Sequence, residues 1–158
     1  MVVPGHRFKR ALQRPASVLD QWLPVCHQGP VPIELEKRLG DESAFVEIEP
    51  GEQLPGEVTA HAVGKPRRHE MPLHLPSHDA LVFGDAVAET GGRLVVWATD
   101  RVDAKAERFY RDRFNPTLEP LLELPFDAVL TTHGQPVLKQ GKQALRRALG
   151  AKPWNQRG

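Results

Sequence analysis

The chain has 158 residues, 40% of them hydrophobic, and its 21 Lys and Arg against 20 Asp and Glu leave a formal net charge of +1. That length suits one compact domain with its own core, and the mixed composition excludes a disordered chain. The charge balance gives no electrostatic case for nucleic acid or an acidic membrane, no apolar run is long enough for a span or a signal segment, and the lone Cys26 excludes an internal disulfide. A cytoplasmic protein acting on a small molecule is the expectation.

The first thirty residues are cut by Pro4, Pro15, Pro24 and Pro30 before a period develops. A short strand over 1–3 and a helix over 7–13 are the elements readable there. Cys26 beside His27 carries no nucleophile, because adjacent side chains point apart in most backbones. A helix is expected over 32–39, with Pro32 in its first turn, Glu34 and Glu36 near its start, Leu35 and Leu39 four apart, and Gly40 as the cap. From residue 44 the pattern changes to strands, over 44–49 and 57–63, separated by the Pro50-Gly51 turn. In the second, Val58, Ala60 and Ala62 face one way and Thr59, His61 and Val63 the other, which makes His61 a half-exposed strand residue and not a ligand. Leu73 and Leu75 alternate with His74 before the Pro76-Ser77 turn.

The runs 80–83 and 94–97 are continuously apolar, the mark of interior strands covered on both faces. The stretch 85–93 between them, with Gly91-Gly92, reads as a loop. A helix follows over 102–114, started by Asp100 or Asp103 and stopped at Asn115-Pro116, with Phe109, Tyr110 and Phe114 as a core stripe. A further helical segment runs over 117–124, a buried strand over 128–132 leads into His133-Gly134, and a last helix covers 142–149. Residues 1–150 form one domain in this reading and 151–158 a loose tail. Trp22, Trp97 and Trp154 are packing residues, Trp154 also being a candidate contact with a second copy in a homo-oligomer. The order of elements indicates an α/β or α+β sandwich.

Two segments carry a resemblance. Residues 73–85 end in Ala-Leu-Val-Phe-Gly-Asp, and residues 124–134 end in Val-Leu-Thr-Thr-His-Gly. In phrasing and order they resemble the metallo-β-lactamase superfamily over roughly residues 44–150. The resemblance implies an α+β fold, the αββα sandwich, truncated at its N-terminal strands. It also implies that Asp85 stands where the family has a metal-bridging carboxylate and His133 where it has the last imidazole ligand. Both follow an apolar strand next to a glycine, which lets a ligand approach the backbone.

The family's His-x-His-x-Asp-His string is missing. The nearest segment, residues 3–10, offers His6 with Phe8, Lys9 and Arg10 in the other places, and such cations repel a dication. In the middle ligand's segment Pro66 takes the ligand place and His69 is displaced. The resemblance therefore implies a zinc or other divalent-metal site assembled from Asp85, His133, His69 and His6, for which about three ligands are needed. Lys65, Arg67 and Arg68 form a solvated basic loop beside His69. Three readings stay open: a metal-dependent hydrolase with a sparse site, a non-catalytic relative in which Asp85 and His133 are a structural pair, and a binding or assembly module with an exposed sheet edge.

Overall fold

The computed structural model describes residues 8–11, 45–64 and 70–156. The expected strand over 1–3, the helix over 32–39, Cys26, Trp22, His6 and the loop holding Lys65, Pro66, Arg67, Arg68 and His69 lie outside the described residues.

Nine strands and three α-helices are described. Strand β1 (Phe8–Ala11) pairs antiparallel with β2 (Phe45–Ile48), Phe8 opposite Ile48 and Ala11 opposite Phe45. A helix over 7–13 is the expectation from sequence; of these, residues 8–11 are described, and they pair with β2 instead, propensity over so short a stretch being a weak prior. A second sheet has the order β3 (Gln53–Leu54), β4 (Val58–Ala60), β5 (Leu73–Leu75), β6 (Ala80–Phe83) and β9 (Ala128–Thr131). Its pairings are antiparallel except the last, in which β6 and β9 run parallel with Phe83 opposite Thr131. The hairpin β7 (Val87–Thr90) and β8 (Arg93–Val96) turns at Gly91-Gly92, both glycines at positive φ. The stretch 85–93 is thus half strand: Val87 and Ala88 are buried, and a two-residue Gly-Gly connection between short apolar runs is a hairpin signal.

Helix α1 (Ala104–Phe109) is capped by Asp103, whose side chain accepts from the Ala106 N–H at 2.7 Å. Asn115-Pro116 does not stop the helical course. The turn Tyr110–Phe114 widens to π geometry, the Asn115 N–H donating to the Tyr110 carbonyl, and α2 (Asn115–Leu118) and a 3-10 turn (Glu119–Glu123) carry it on. A proline lacks its N–H and crowds the carbonyl four residues back, and the wider turn ahead of Pro116 accommodates both. Helix α3 (Gly141–Gly150) buries Ala144, Leu145 and Ala148 against β8 and β9.

The core gathers Leu81, Phe83, Val96, Phe114, Leu118 and Leu145, all essentially inaccessible. A smaller cluster joins Ile48, Leu54, Ala60 and Met71. Burial in β5 is the reverse of its apolar pattern. His74 is 5% exposed and Leu73 and Leu75 are half-buried, because the His74 Nε2 reaches the Pro125 carbonyl at 2.8 Å. Residues 151–156 are not loose: Trp154 forms a parallel β-bridge with Trp97, its N–H donating to the Val96 carbonyl at 2.9 Å and its carbonyl accepting from the Ala98 N–H at 2.8 Å. Among the described residues no helix is long and apolar enough to cross a membrane.

Candidate functional site

The parallel register of β6 and β9 decides where the site is. Because Phe83 pairs with Thr131, the two strands end at the same edge, and Asp85 and His133 each follow by two residues. Residues 48 apart in sequence therefore emerge together, His133 Nε2 lying 3.1 Å from Asp85 Oδ1. The side chains remain 52% and 54% exposed, His133 first, so the pair faces solvent.

Each member sits on a loop held by a glutamate. Glu70, only 4% exposed, sends its carboxyl group under the Asp85 loop. Its Oε1 accepts the Gly84 N–H at 2.8 Å and its Oε2 accepts the Ala86 N–H, so the amides on both sides of Asp85 are pinned by one side chain. Thr132, one residue before His133, donates its hydroxyl to the Gly84 carbonyl at 2.9 Å and ties the two loops directly. On the other loop the Glu89 N–H donates to the His133 carbonyl at 2.9 Å, while Glu89 Oε2 accepts the Gln135 N–H at 2.7 Å and Oε1 the Gly92 N–H at 2.6 Å. These hydrogen bonds, the one from Gln135 first and the one from Gly92 second, hold the Glu89 carboxyl below its ordinary pKa. Gly134 has φ +92°, and a Cβ there would overlap the Glu89 carbonyl oxygen. Only glycine fits both demands.

An aromatic wall stands behind the imidazole. The Trp97 ring lies 5.1 Å from that of His133 with planes 33° apart, and Trp154 meets Trp97 edge-on at 5.3 Å. The Trp97 backbone N–H also donates to the Ala86 carbonyl at 3.0 Å, so this residue touches the loops of both Asp85 and His133.

His61 lies elsewhere, beside His74 with ring centroids 6.3 Å apart. Its Nε2 is buried without a hydrogen-bond partner among the described residues, and burial first, then the neighbouring His74, lowers its pKa. It follows the end of β4, its backbone N–H donating to the Pro72 carbonyl at 2.9 Å.

A carboxylate oxygen and an imidazole nitrogen are zinc donors, and two donors on one tetrahedral ion lie about 3.3–3.6 Å apart given bond lengths near 2.0–2.2 Å. The observed 3.1 Å falls within hydrogen-bond range and is slightly short of that separation. The number of donors does not suit it: among the described residues no group of three or more His, Cys, Asp or Glu side chains could hold a metal ion. Asp85 and His133 by themselves do not make a zinc site. His69 and His6, the other two expected ligands, lie outside the described residues.

Sequence reasoning named Asp85 and His133 and missed Glu70, Glu89 and Trp97. The Gly91-Gly92 hairpin signal would have placed Glu89 on a strand beside the site. Nothing local marks Glu70, whose partners lie 14 and 16 residues further on.

No family model matches the sequence, and no curated protein does. The chain, an α+β protein with a mixed sheet, is similar to the crystal structure of a metallo-β-lactamase family protein from Thermus thermophilus, with 20% identity and a TM-score of 0.45. The match covers 65% of this chain and 33% of that one, so the chain spans about one third of the length of that structure.

Proposed function

We propose that this chain carries a hydrolase-type site at the shared edge of β6 and β9, built on Asp85 and His133 and acting on a small-molecule substrate. The observation that carries the reading is the pairing of a carboxylate and an imidazole at 3.1 Å while both stay half exposed. A pair kept only for stability gains little at the surface, about 0–1 kcal/mol. Yet two glutamates and a glycine are devoted to fixing its loops, which fits a pair that must meet a ligand in a set geometry.

With Nε2 protonated, His133 donates to Asp85, which fixes the tautomer and leaves Nδ1 as an acceptor for the proton of an attacking water. Asp85 stabilises the imidazolium that results. A zinc or other divalent ion at this place would need further donors, for which His69 and His6 are the candidates, and when bound it would polarise a carbonyl or phosphoryl oxygen. His69 directly precedes Glu70 in sequence, and Glu70 holds the Asp85 loop.

The test is metal content after purification without chelator, together with hydrolysis of thioester, lactam and phosphodiester probes by the parent chain, Asp85→Ala and His133→Ala. Activity lost in both variants with the fold intact supports the site, and stoichiometric zinc lost with it supports the metal. A parent chain without metal and without hydrolysis of any probe returns the pair to a structural role.

A further inference from the structure

We infer that the C-terminal segment 151–156 is part of the site: Trp154 braces Trp97, and Trp97 is a positioning residue that sets the plane of the His133 imidazole against Asp85. The inference rests on the Asp85–His133 reading of the site and adds a part of the chain that the sequence shows only as a polar tail.

The segment is fastened as a strand. Its two backbone hydrogen bonds to Val96 and Ala98 are joined by the Asn155 Nδ2, which donates to the Ala98 carbonyl at 2.6 Å from a residue only 9% exposed. Pro153 is buried beside them, and Lys152 lies 3.4 Å from Glu107 on α1. This is more anchoring than a tail needs to stay folded back, and it delivers one large side chain. Trp154 arrives edge-on to Trp97, at 73° between planes, an orientation favoured between aromatic rings. Trp97 is held from its other side by its backbone N–H on the Ala86 carbonyl and so cannot drift from the Asp85 loop. Its ring then faces His133 at 33°, covering one face of the imidazole and leaving the other to solvent and ligand.

An imidazole joined to its carboxylate by a single hydrogen bond can still rotate about that contact. A flat ring behind it removes that freedom, and a braced flat ring removes it more completely. Hydrogen-bonded partners that fix the ring of a metal-ligating histidine carry about 10- to 100-fold in affinity or activity, and a packed ring that removes the same freedom is expected to act on that scale.

The experiment reads contact and consequence separately in the full chain. The ring protons of His133, assigned by their loss in His133→Gln, should lie upfield because they sit over the Trp97 face. Trp97→Leu should move them to the position of a free histidine, Trp154→Ala should move them part of the way, and Trp154→Phe should restore them, with the methyl signals of Leu145 and Val129 unchanged as the control for folding. Activity, or metal affinity where metal is the readout, should fall about 10- to 100-fold in Trp97→Leu, fall less in Trp154→Ala, and stay near the parent's in Trp154→Phe. His133 signals that do not respond to Trp97→Leu, or Trp154→Ala without effect on them, overturn the proposal. Should the parent prove inactive and metal-free, the hydrolase reading fails, and the ring shifts still decide whether the tail orients this histidine.

Discussion

The loops that carry Asp85 and His133 are fastened by the same chemistry in opposite surroundings. Under Asp85, the Glu70 carboxyl group is buried and takes two backbone N–H groups that have no route to water. Under His133, Glu89 takes two backbone N–H groups at the surface, where water competes for each of them. The lesson is that one motif, a carboxylate bridging two amides, can be a structural support in one place and a light restraint in the other. Burial, and not the hydrogen-bond count, sets its worth. The pair thus has a stiff half and a soft half, with a rigid carboxylate and an imidazole whose loop can yield.

The largest effect that could break this comparison is at Glu70. Glu70→Ala leaves the Gly84 and Ala86 amides buried and unpaired and should cost about 2–6 kcal/mol, at 1–3 kcal/mol for each orphaned group. Glu70→Gln keeps an acceptor for one of them and should cost less. Denaturant unfolding of both variants measures it, and a loss for Glu70→Ala no larger than that for Glu89→Ala would mean that the buried clamp contributes no more than its surface counterpart.

Gly134→Ala comes next. The new methyl group would need a left-handed backbone and would overlap the Glu89 carbonyl, so a cost of about 2–5 kcal/mol is expected from the two terms together. If the His133 loop is as soft as the comparison holds, part of that cost is relieved by the loop moving away. Crystallography or amide exchange should then show residues 132–135 displaced and the Asp85 loop unmoved. Equal displacement of both loops would show that the Thr132–Gly84 hydrogen bond couples them into one unit.

How much of this is legible in the sequence follows from where the partners lie. The apolar strands 80–83 and 128–131, each ending in a small residue and a polar one, are local patterns, and the resemblance they carry puts Asp85 and His133 at strand tips. What makes them meet, the parallel pairing of β6 and β9, is a tertiary fact without a local signature. Glu70 looks like any charged residue before a strand, and its burial follows only from amides that the next turn delivers to it. Strand β7 is hidden because Val87 to Thr90 is short and half small, leaving the glycine pair to be read as a loop. The tail reads as loose because its composition is polar, although the groups that tie it down, Trp154 and Asn155, are within that same stretch.

The smallest expected effect is at Glu89, and its pH dependence separates the two clamps most finely. Its folded-state pKa lies below the ordinary value, chiefly through the Gln135 N–H, so the unfolded chain takes up a proton at a pH where the folded chain still resists it. The restraint is therefore fully present above the ordinary glutamate range and is lost as the pH falls through that range to the lowered folded value. His61 adds an acid-sensitive contribution in a higher window. Its pKa is also lowered, by burial first, so its share of stability is full above the ordinary histidine range and declines as the pH falls through it. Global unfolding would mix the two, and a local readout is needed. Amide exchange at Gln135 and Gly92, corrected for intrinsic rates, should quicken in the lower window while Gly84 and Ala86 stay protected. In Glu89→Gln the same amides should be faster at neutral pH and indifferent to that window, because the amide side chain has one acceptor oxygen and no proton to gain there. Exchange at Gln135 that keeps its parental pH profile in Glu89→Gln would show that the surface carboxylate restrains nothing, and that the His133 loop is held by the Thr132 hydroxyl, Gly134 and the Glu89 backbone.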